Sequence, residues 1–296
     1  MSKSAKKWLK MAIQVVVSVC LVAFVLWKIN IEEIKSLVLR SGSFIWLAAA
    51  WLLFNFSKIA GALRLNVYQR HASILLSELE NLRLYYVGMF LNFFLPGGIG
   101  GDGYKILVLH RRQEAPFKKL LLITLADRIS GLLILLLLLC LLMPMLDLPW
   151  SAGNMLALAG ISSLVLVAVF ILGHRFLLKA GKAQMMKLFG YGLAVQLLQL
   201  ASMASLLAFI QAPTHHYLAY FAVFLVSSVA AVLPISFGGL GAREITFFYA
   251  LSLLHLDPAY GVVASSGFFL ITLISSLPGI LFLGGFSLRQ LARPDA

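Results

Sequence analysis

The stretch LRLYYVGMFLNFFLPGGIGGDGYKILVLH, residues 82–110, decides how this chain folds. Its first apolar arm runs from Leu84 to Leu95, and a glycine-rich segment after Pro96 separates it from a second arm that ends near His110. The first arm would measure about 18 Å as a helix, too short to cross a bilayer core of about 30 Å. The stretch is therefore either one broken crossing or a helical hairpin that re-enters and leaves by the same face.

A second interrupted stretch, residues 217–255, has the same form. It reads YLAYFAVFLVSSVAAVL, then PISFGGLGARE, then ITFFYALSLL. The tetrapeptide GGIG at 97–100 recurs as GGLG at 238–241, an offset of 141 in a chain of 296 residues. The position of the match, about half a chain apart and within the corresponding interruption, indicates an internal repeat.

The composition indicates that lipid surrounds most of this chain. Hydrophobic residues make up 61% and charged residues 12%, and the mean hydropathy is +0.96. A folded soluble domain needs a charged surface, so these values exclude an ordinary soluble enzyme, a disordered chain and a secreted disulfide scaffold. The two cysteines, Cys20 and Cys140, both lie in apolar runs and suggest neither a disulfide nor a metal site.

Six further segments are long enough to cross a membrane as single helices: residues 10–28, 44–63, 118–142, 154–173, 187–210 and 259–286. The basic start of the chain leads directly into the first of them without a small-residue cleavage site, which predicts an uncleaved span and a cytoplasmic N-terminus. Residues 31–40 alternate apolar and charged faces, which predicts a short helix on the outer surface. Local signals predict a capping box at Ser77 and Glu80, an N-cap at Asp257 and a kink of the last helix at Pro278.

The net charge of +13 records orientation, because Lys and Arg accumulate in cytoplasmic loops. If both interrupted stretches are hairpins, 17 positive residues fall in loops on the inside, Arg64 among them, and 2 fall outside. If both cross fully, loops 110–119 and 174–187 move outside and the counts become 9 and 10. The charges therefore favour two re-entrant hairpins, with both termini cytoplasmic and the chain in the cytoplasmic (inner) membrane.

The fold predicted from these patterns is an all-α polytopic membrane protein with six transmembrane helices and two oppositely oriented re-entrant helical hairpins. Residues 1–142 form the first half, with its hairpin at 84–110, and 154–296 form the second, with its hairpin at 217–255. Residues 143–153 link the halves. Inverted repeats with interrupted helices near the membrane midplane are typical of secondary transporters.

The glycines of the two interruptions are candidates for binding an anion through their backbone amides. They are Gly97, Gly98, Gly100, Gly101, Gly238, Gly239 and Gly241. The helices that begin after them would present free N–H groups and a partial positive charge to a phosphate. The alternative is that these glycines only permit tight turns and close helix packing.

Ionisable residues inside apolar segments are the candidate substrate-binding side chains: Asp102, Lys105, Asp127, Arg128, Arg243, Glu244 and Lys58. A charge at membrane depth is costly and usually faces a cavity or a partner. The plainer alternatives stay open: Asp102 and Glu244 as helix caps, Asp127 and Arg128 as members of an internal salt-bridge network that joins helices, and Lys58 extended to the cytoplasmic surface. Arg243 fits a capping role poorly, because a cation at a helix N-terminus is unfavourable.

The residues LPGGIGGDGYK followed by HRR, and PISFGGLGAREITFFYALSLL, make this sequence resemble the membrane-domain family of lysylphosphatidylglycerol synthases over nearly the whole chain. In multidomain relatives, the resemblance implies a membrane region that moves aminoacylated phospholipid between leaflets while a separate soluble domain makes that lipid. Ten residues follow Phe286, so we expect this chain not to synthesise the lipid. The glycine segments, Asp102, Arg243 and Glu244 are the residues that the resemblance carries over.

The sequence favours a lipid translocator, a flippase or scramblase that moves a phospholipid or polyprenyl-linked headgroup through a cavity between inverted halves. Two alternatives stay open: an intramembrane enzyme acting on a lipid or isoprenoid, and a structural subunit of a lipid-modifying pathway. Nucleotide-binding, zinc-hydrolase and nucleophile-elbow motifs are missing from the sequence, so we expect no enzyme, metal or cofactor. The expected partners are membrane lipids with anionic headgroups and no nucleic acid; a homo-oligomer and a separate lipid-modifying enzyme stay open.

Overall fold

The computed structural model describes residues 16, 23, 31–39, 42–94, 100–146, 151–232 and 239–286. Within these ranges the chain is helical and contains no strand. The α-helices are α1 (Ile31–Leu39), α2 (Ile45–His71), α3 (Glu78–Phe94), α4 (Gly100–Gln113), α5 (Phe117–Leu142), α6 (Ala152–Leu172), α7 (Lys182–Phe209), α8 (Tyr217–Val232), α9 (Ala242–Leu253), α10 (Pro258–Ser276) and α11 (Pro278–Leu283).

Six helical stretches of the described chain are long and apolar enough to cross a membrane: Ile45–His71, Phe117–Met145, Gly153–Phe176, Lys182–Phe209, Thr214–Ala231 and Pro258–Phe286. They confirm the all-helical, polytopic class, and five of them coincide with predicted spans. The first predicted span, residues 10–28, lies outside the described residues apart from 16 and 23. Thr214–Ala231 was assigned from the sequence to the first arm of the second hairpin, yet it passes the same length and hydropathy test.

Aspartate and proline begin or end helices where the sequence predicted. At the start of α10, Oδ1 of Asp257 accepts a hydrogen bond from the Ala259 amide at 2.8 Å, which is the expected N-cap. Pro278 interrupts the last span: α10 ends at Ser276 and α11 begins at Pro278, because proline cannot supply the amide that a continuous helix needs. The sequence predicted a kink at Pro278, and the last helix is interrupted at that residue.

The predicted capping box at the start of α3 is also present. The Glu80 amide donates to Oγ of Ser77, and the Ser77 amide donates to Oε2 of Glu80, each at 3.2 Å. Oγ of Ser77 also donates to Oε2 of Glu80 at 3.0 Å, and the hydrogen bonds that the carboxyl accepts from the Ser77 backbone and side chain lower the pKa of Glu80. The box fixes the residue at which the chain turns into the first interrupted stretch.

Helices α2 and α7 lie antiparallel at the centre of the fold. At one end, a ring nitrogen of His71 hydrogen-bonds the carbonyl oxygen of Leu178; at the other, the Gly42 amide donates to the carbonyl oxygen of Phe209. The sequence predicted a second span of 44–63, whereas α2 continues to His71. This extension keeps Arg64 within the helix, although the charge count had placed it in a loop.

Two apolar clusters surround this central pair. One cluster packs residues of α2 and α7 against α8, α9 and α10, and includes Phe54, Leu207, Phe224, Phe247 and Phe268. The other packs α2 against α3, α4, α5 and α7, and includes Tyr68, Leu84, Ile106, Leu120 and Leu188. Each interrupted stretch therefore packs into a core of its own, and α2 and α7 belong to both.

The start of α3 and the end of α4 lie together at one end of the molecule. Arg112 near the end of α4 pairs with Glu80 in the first turn of α3, with 2.9 Å between Nη2 and Oε1. Nε2 of Gln113 donates to the Leu75 carbonyl oxygen at 2.8 Å, which ties the same two ends together. The two helices α3 and α4 therefore begin and end at the same end of the molecule. Re-entrance into a bilayer, the inverted repeat and the division into halves stay predictions.

Candidate functional site

A cavity of about 240 Å³ lies among α2, α3, α4 and α5. Nine side chains of the described chain line it, and we call it the charged cavity: Lys58, Arg64, Tyr85, Met89, Asn92, Asp102, Lys105, Asp127 and Arg128. Lys58 stands 13 residues from either end of α2, and Asp127 stands 10 residues into α5. At a rise of 1.5 Å per residue these positions are about 20 Å and about 15 Å along their helices, well inside the membrane-spanning segments.

Asp102 joins α4 to α5 on the wall of the charged cavity. Its Oδ1 forms an ion pair with Nζ of Lys105 at 2.7 Å, and its Oδ2 accepts a hydrogen bond from Nε of Arg128. Asp102 and Lys105 are both buried, and Nζ of Lys105 also lies 5.1 Å from the centre of the Tyr85 ring. One carboxylate is therefore shared between two cations.

Asp127 joins α5 to α2. Its Oδ1 lies 2.8 Å from Nε of Arg64, and both side chains are largely shielded from solvent. The sequence-based alternative, an internal salt-bridge network that joins helices through Asp127 and Arg128, is present in the structure, because the two neighbours reach different helices. Adjacent residues point about 100° apart around an α-helix, so they face different partners.

Arg64 is the functional residue that the sequence reasoning missed. It was counted as a loop charge, but it is 7% exposed and lines the charged cavity. The Arg64 guanidinium lies beside a glycine on each of two helices, Gly131 on α5 and Gly192 on α7. A Cβ on Gly131 would lie 3.0 Å from Nη1 of Arg64, and a Cβ on Gly192 would lie 3.4 Å from the same atom. The signal for Arg64 was Asp127, which lies deep in the span α5. A carboxylate at that depth needs a buried cation beside it.

One donor of Arg64 is left unsatisfied. Its Nη1 is buried and has no hydrogen-bond acceptor among the described residues. A buried donor without an acceptor costs about 1–3 kcal/mol, and more when it is charged. An anion or a water molecule in the charged cavity would remove this cost.

Lys58 does not extend toward the predicted cytoplasmic end of α2. Its Nζ lies 4.3 Å from the centre of the Phe54 ring, one turn nearer the start of the helix, which is the direction that helical side chains favour. In the described part of the chain it has no carboxylate partner, and Arg64 and Arg243 are near enough for their charges to repel it. The predicted snorkelling is therefore wrong, and Lys58 is a cation on the cavity wall without a matching acid.

The charged cavity carries a surplus of positive charge. Among the described residues that line it, four side chains are cationic and two are carboxylates, which leaves a net charge of +2 when all six are ionised. Asp102 is shared by Lys105 and Arg128, Asp127 is matched by Arg64, and Lys58 is unmatched within the described residues. Isolated charge at this depth is costly, so the arrangement is suited to taking up an anion.

The candidate residues of the second half lie outside the charged cavity. Arg243, at the start of α9, donates from Nη1 to Oγ of Ser228 at 3.0 Å. Its guanidinium carbon lies 5.3 Å from the Phe268 ring centre and 5.6 Å from that of Phe224. Cation–π contacts of this kind stabilise a charge away from water. Since Phe54, in contact with Lys58, packs edge-on against Phe268, a pair of aromatic rings links the two cations.

Glu244 caps α9. Its Oε2 accepts a hydrogen bond from the Gly241 amide at 2.7 Å, and its Oε1 accepts one from Oγ of Ser265 at 3.3 Å. The residue is 2% exposed. The hydrogen bond to the Gly241 amide is the one expected if Glu244 is a helix cap. Glu244 therefore stabilises the start of α9 in the second interrupted stretch and does not face an open site.

The glycines that the structure describes serve close packing and turns. The Gly101 amide donates to Oδ1 of Asn92 at 2.8 Å, and a Cβ on Gly101 would lie 1.8 Å from the carbonyl oxygen of Gly88. Gly239 and Gly241 have φ of +85° and +83°, a region that side chains disfavour. The amides of Gly101 and Gly241 are thus already satisfied. Gly100 begins α4, and Gly97, Gly98 and Gly238 lie outside the described residues.

The fold and the charged cavity together define a class of protein: an all-helical, polytopic integral membrane protein with a buried, net-positive cavity. The family model described as "Lysylphosphatidylglycerol synthase TM region" matches residues 11–279, and the chain belongs to that family. This confirms the resemblance seen in the two glycine motifs.

A curated relative agrees with this assignment. The chain is similar to a UPF0104 membrane protein of Pyrococcus horikoshii, with 27% identity over 174 residues. The match covers 58% of this chain and 51% of the relative, so the chain spans about half the length of the protein it matches. The relative's name states a membrane protein and no activity.

Proposed function

We propose that this protein translocates lipids whose headgroups are anionic between the two leaflets. The observation that carries the proposal is the surplus of positive charge in the charged cavity, about midway along the membrane-spanning helices. A buried surplus of cations is unfavourable in lipid unless an anion joins it, and a lipid phosphate is the abundant anion in that environment. Membership of the family of lysylphosphatidylglycerol synthase membrane regions supports a role in lipid handling.

Headgroup binding would begin at Lys58 and Arg64. Lys58 carries an ammonium group without a carboxylate partner among the described residues, and Nη1 of Arg64 is an unsatisfied buried donor. A phosphate oxygen between them would satisfy both. The acyl chains would stay in the bilayer beside the exposed apolar faces of the spans, for example Leu125 and Ile129 on α5.

The ion pairs of the charged cavity would hold the helices together until a headgroup binds. Asp127 holds α5 to α2, and Asp102 holds α4 to α5. A headgroup phosphate competes with these carboxylates for the same guanidinium groups, because Arg binds both anions with the same fork of donors. Binding would loosen the contact between the interrupted stretch and the spans, which is the movement that alternating access requires.

The proposed orientation places both termini in the cytoplasm and the chain in the cytoplasmic membrane. It rests on the positive-inside distribution, and the contacts at one end of the molecule support it. The end of α2, the start of α3, the end of α4 and the α6–α7 turn all meet there, through His71 with Leu178 and Arg112 with Glu80. A membrane potential would favour outward movement of an anion by about 2.3 kcal/mol per charge per 100 mV.

The test is reconstitution of the purified chain in liposomes with an anionic phospholipid labelled in one leaflet. We expect the label to redistribute while the lipid stays chemically intact. Formation of a new lipid product would favour the intramembrane enzyme instead. If a folded chain gives neither result, translocation is contradicted and a structural role in a lipid-modifying pathway is left. Empty liposomes and a variant of an exposed residue, Arg175→Ala, are the controls.

A further inference from the structure

The positive surplus of the charged cavity comes from two separate places. One unit arises where Lys105 and Arg128 share the single carboxylate of Asp102. The other is Lys58, which has no carboxylate partner within the ranges that the structure describes. Arg64 and Asp127 cancel each other. The side chains that carry both units of surplus charge line one cavity of about 240 Å³, so a single small anionic group can interact with both.

The charge of a lipid headgroup decides how well it fits this surplus. A phosphodiester such as phosphatidylglycerol carries one negative charge and would leave the cavity at about +1, whereas a phosphomonoester carries about 1.5 to 2 negative charges near pH 7 and would bring it close to neutral. A headgroup with an added ammonium group, and a positive net charge, would raise the surplus. Since residual charge is costly inside a membrane protein, the phosphomonoester is favoured.

The donors of the charged cavity point to the same choice. A phosphomonoester presents three terminal oxygens, one more than a diester, and each can accept hydrogen bonds. Lys58 offers an ammonium group that lies against the Phe54 ring, and Arg64 offers the unsatisfied Nη1. Lys105 has three N–H donors, more than its pairing with Asp102 uses. The third oxygen therefore has donors available to it.

We propose that the charged cavity binds the phosphomonoester headgroup of a lipid, such as a polyprenyl monophosphate or a phosphatidate, in preference to a phosphodiester. Lys58 is the residue that sets this preference, because it supplies the second unit of surplus charge. The inference rests on the proposed function for the lipid nature of the ligand. The preference itself is a property of binding and is measured without transport.

The test is a binding competition on the purified full chain in detergent, followed by native mass spectrometry. The probes are dioleoyl phosphatidate, dioleoyl phosphatidylglycerol and inorganic phosphate. We expect phosphatidate to bind at least tenfold more tightly than phosphatidylglycerol, because a full charge about 4 Å from a cation at an effective dielectric of about 20 is worth roughly a thousandfold, and desolvation of the second charge offsets part of that gain. Lys58→Met should lose most of that ratio, and Lys58→Arg, which keeps the charge, should retain it.

The matched control is Lys118→Met, at an exposed position at the start of α5, which should leave the ratio unchanged. Equal binding of the two lipids by the wild type, or a ratio that persists in Lys58→Met, overturns the preference. Displacement of phosphatidate by an equal concentration of inorganic phosphate would assign the site to the free anion and overturn the lipid assignment. Selective binding of phosphatidate by a chain that moves no lipid in liposomes would contradict the proposed function while supporting the site.

Discussion

Asp127 and Arg64 form an ion pair inside the membrane-spanning part of the protein, with 2.8 Å between Oδ1 and Nε. The pair ties α5 to α2, and both side chains are largely shielded from solvent. The neighbour of Asp127, Arg128, hydrogen-bonds Asp102 on α4 instead. Two consecutive residues of α5 therefore hold two different helices around the charged cavity.

Removal of one partner of this pair should destabilise the protein strongly. Asp127→Asn leaves the Arg64 charge buried without compensation, and we expect a loss of about 3–5 kcal/mol in the free energy of unfolding. The double variant Asp127→Leu with Arg64→Met should recover most of that loss. Reversible unfolding in mixed micelles measures both.

The matched control for the Asp127 variants is Glu78→Gln, which breaks the exposed pair of Arg70 and Glu78 and keeps a side-chain oxygen that can accept the hydrogen bond from Asn66. An exposed pair is worth about 0–1 kcal/mol, so its loss should be small. If Asp127→Asn were no more destabilising than Glu78→Gln, the buried pair would not hold α5 to α2.

A side chain at Gly131 should displace the Arg64 guanidinium. An added Cβ would lie 3.0 Å from Nη1, closer than an ordinary contact. We expect Gly131→Val to destabilise the protein by about 1–3 kcal/mol through overpacking and to reduce lipid translocation. Gly160→Val on α6 is the control, since a Cβ there meets no neighbour within 4 Å. Equal effects of the two substitutions would show that the fit around Arg64 is loose.

Loss of Arg128 or Arg243 should slow translocation while the protein stays folded. Arg128 is part of the charged cavity, and Arg243 stacks against Phe268 and Phe224 in the second half. We expect Arg128→Ala and Arg243→Ala each to lower the rate of lipid redistribution by roughly tenfold, a cost of about 1.4 kcal/mol. Size-exclusion profiles and expression levels check folding, and Arg175→Ala is the matched exposed control.

The predicted orientation can be read from the side on which cysteines are labelled. Positions 118 and 182 are exposed and lie at the starts of α5 and α7, at the end of the molecule predicted to be cytoplasmic. In a background without Cys20 and Cys140, we expect Lys118→Cys and Lys182→Cys to react with a membrane-impermeant reagent only from the cytoplasmic side. Ser43→Cys, before α2, should react only from the other side. Labelling of either lysine position from outside would contradict the two hairpins.

The sequence was sufficient to locate the charged cavity but not to assign the partners within it. Asp102, Lys105, Asp127, Arg128 and Lys58 were all selected because a charge in an apolar segment must face a cavity or a partner, and all five line the same cavity. Partner choice depends on how each helix is rotated against its neighbours, which the pattern of hydropathy does not record.

Arg64 and Lys58 show what the sequence could not settle. The end of α2 was assigned by hydropathy, but buried polar residues such as Asn66 and Gln69 carry the helix on to His71 and keep Arg64 inside it. Lys58 could extend either way along α2 on its length alone. Its Nζ lies over the Phe54 ring, four residues earlier on the same helix, and the cytoplasmic end of α2 was the competing direction.

The features predicted from a few neighbouring residues agree best with the structure. The capping box of Ser77 and Glu80, the cap at Asp257 and the break at Pro278 were all predicted and found, because each depends on a few neighbouring residues. Glu244 belongs to the same group, since it stands three residues after Gly241 and accepts a hydrogen bond from its amide. The resemblance had marked it for function, and its contacts are those of a cap.

The most direct test of lipid translocation through the charged cavity compares the wild type with the double variant Lys58→Met and Arg128→Ala in liposomes, by redistribution of an anionic phospholipid labelled in one leaflet. We predict rapid redistribution by the wild type and redistribution near the rate of empty liposomes for the folded double variant. Redistribution at the wild-type rate by a well-folded double variant would contradict the proposed site.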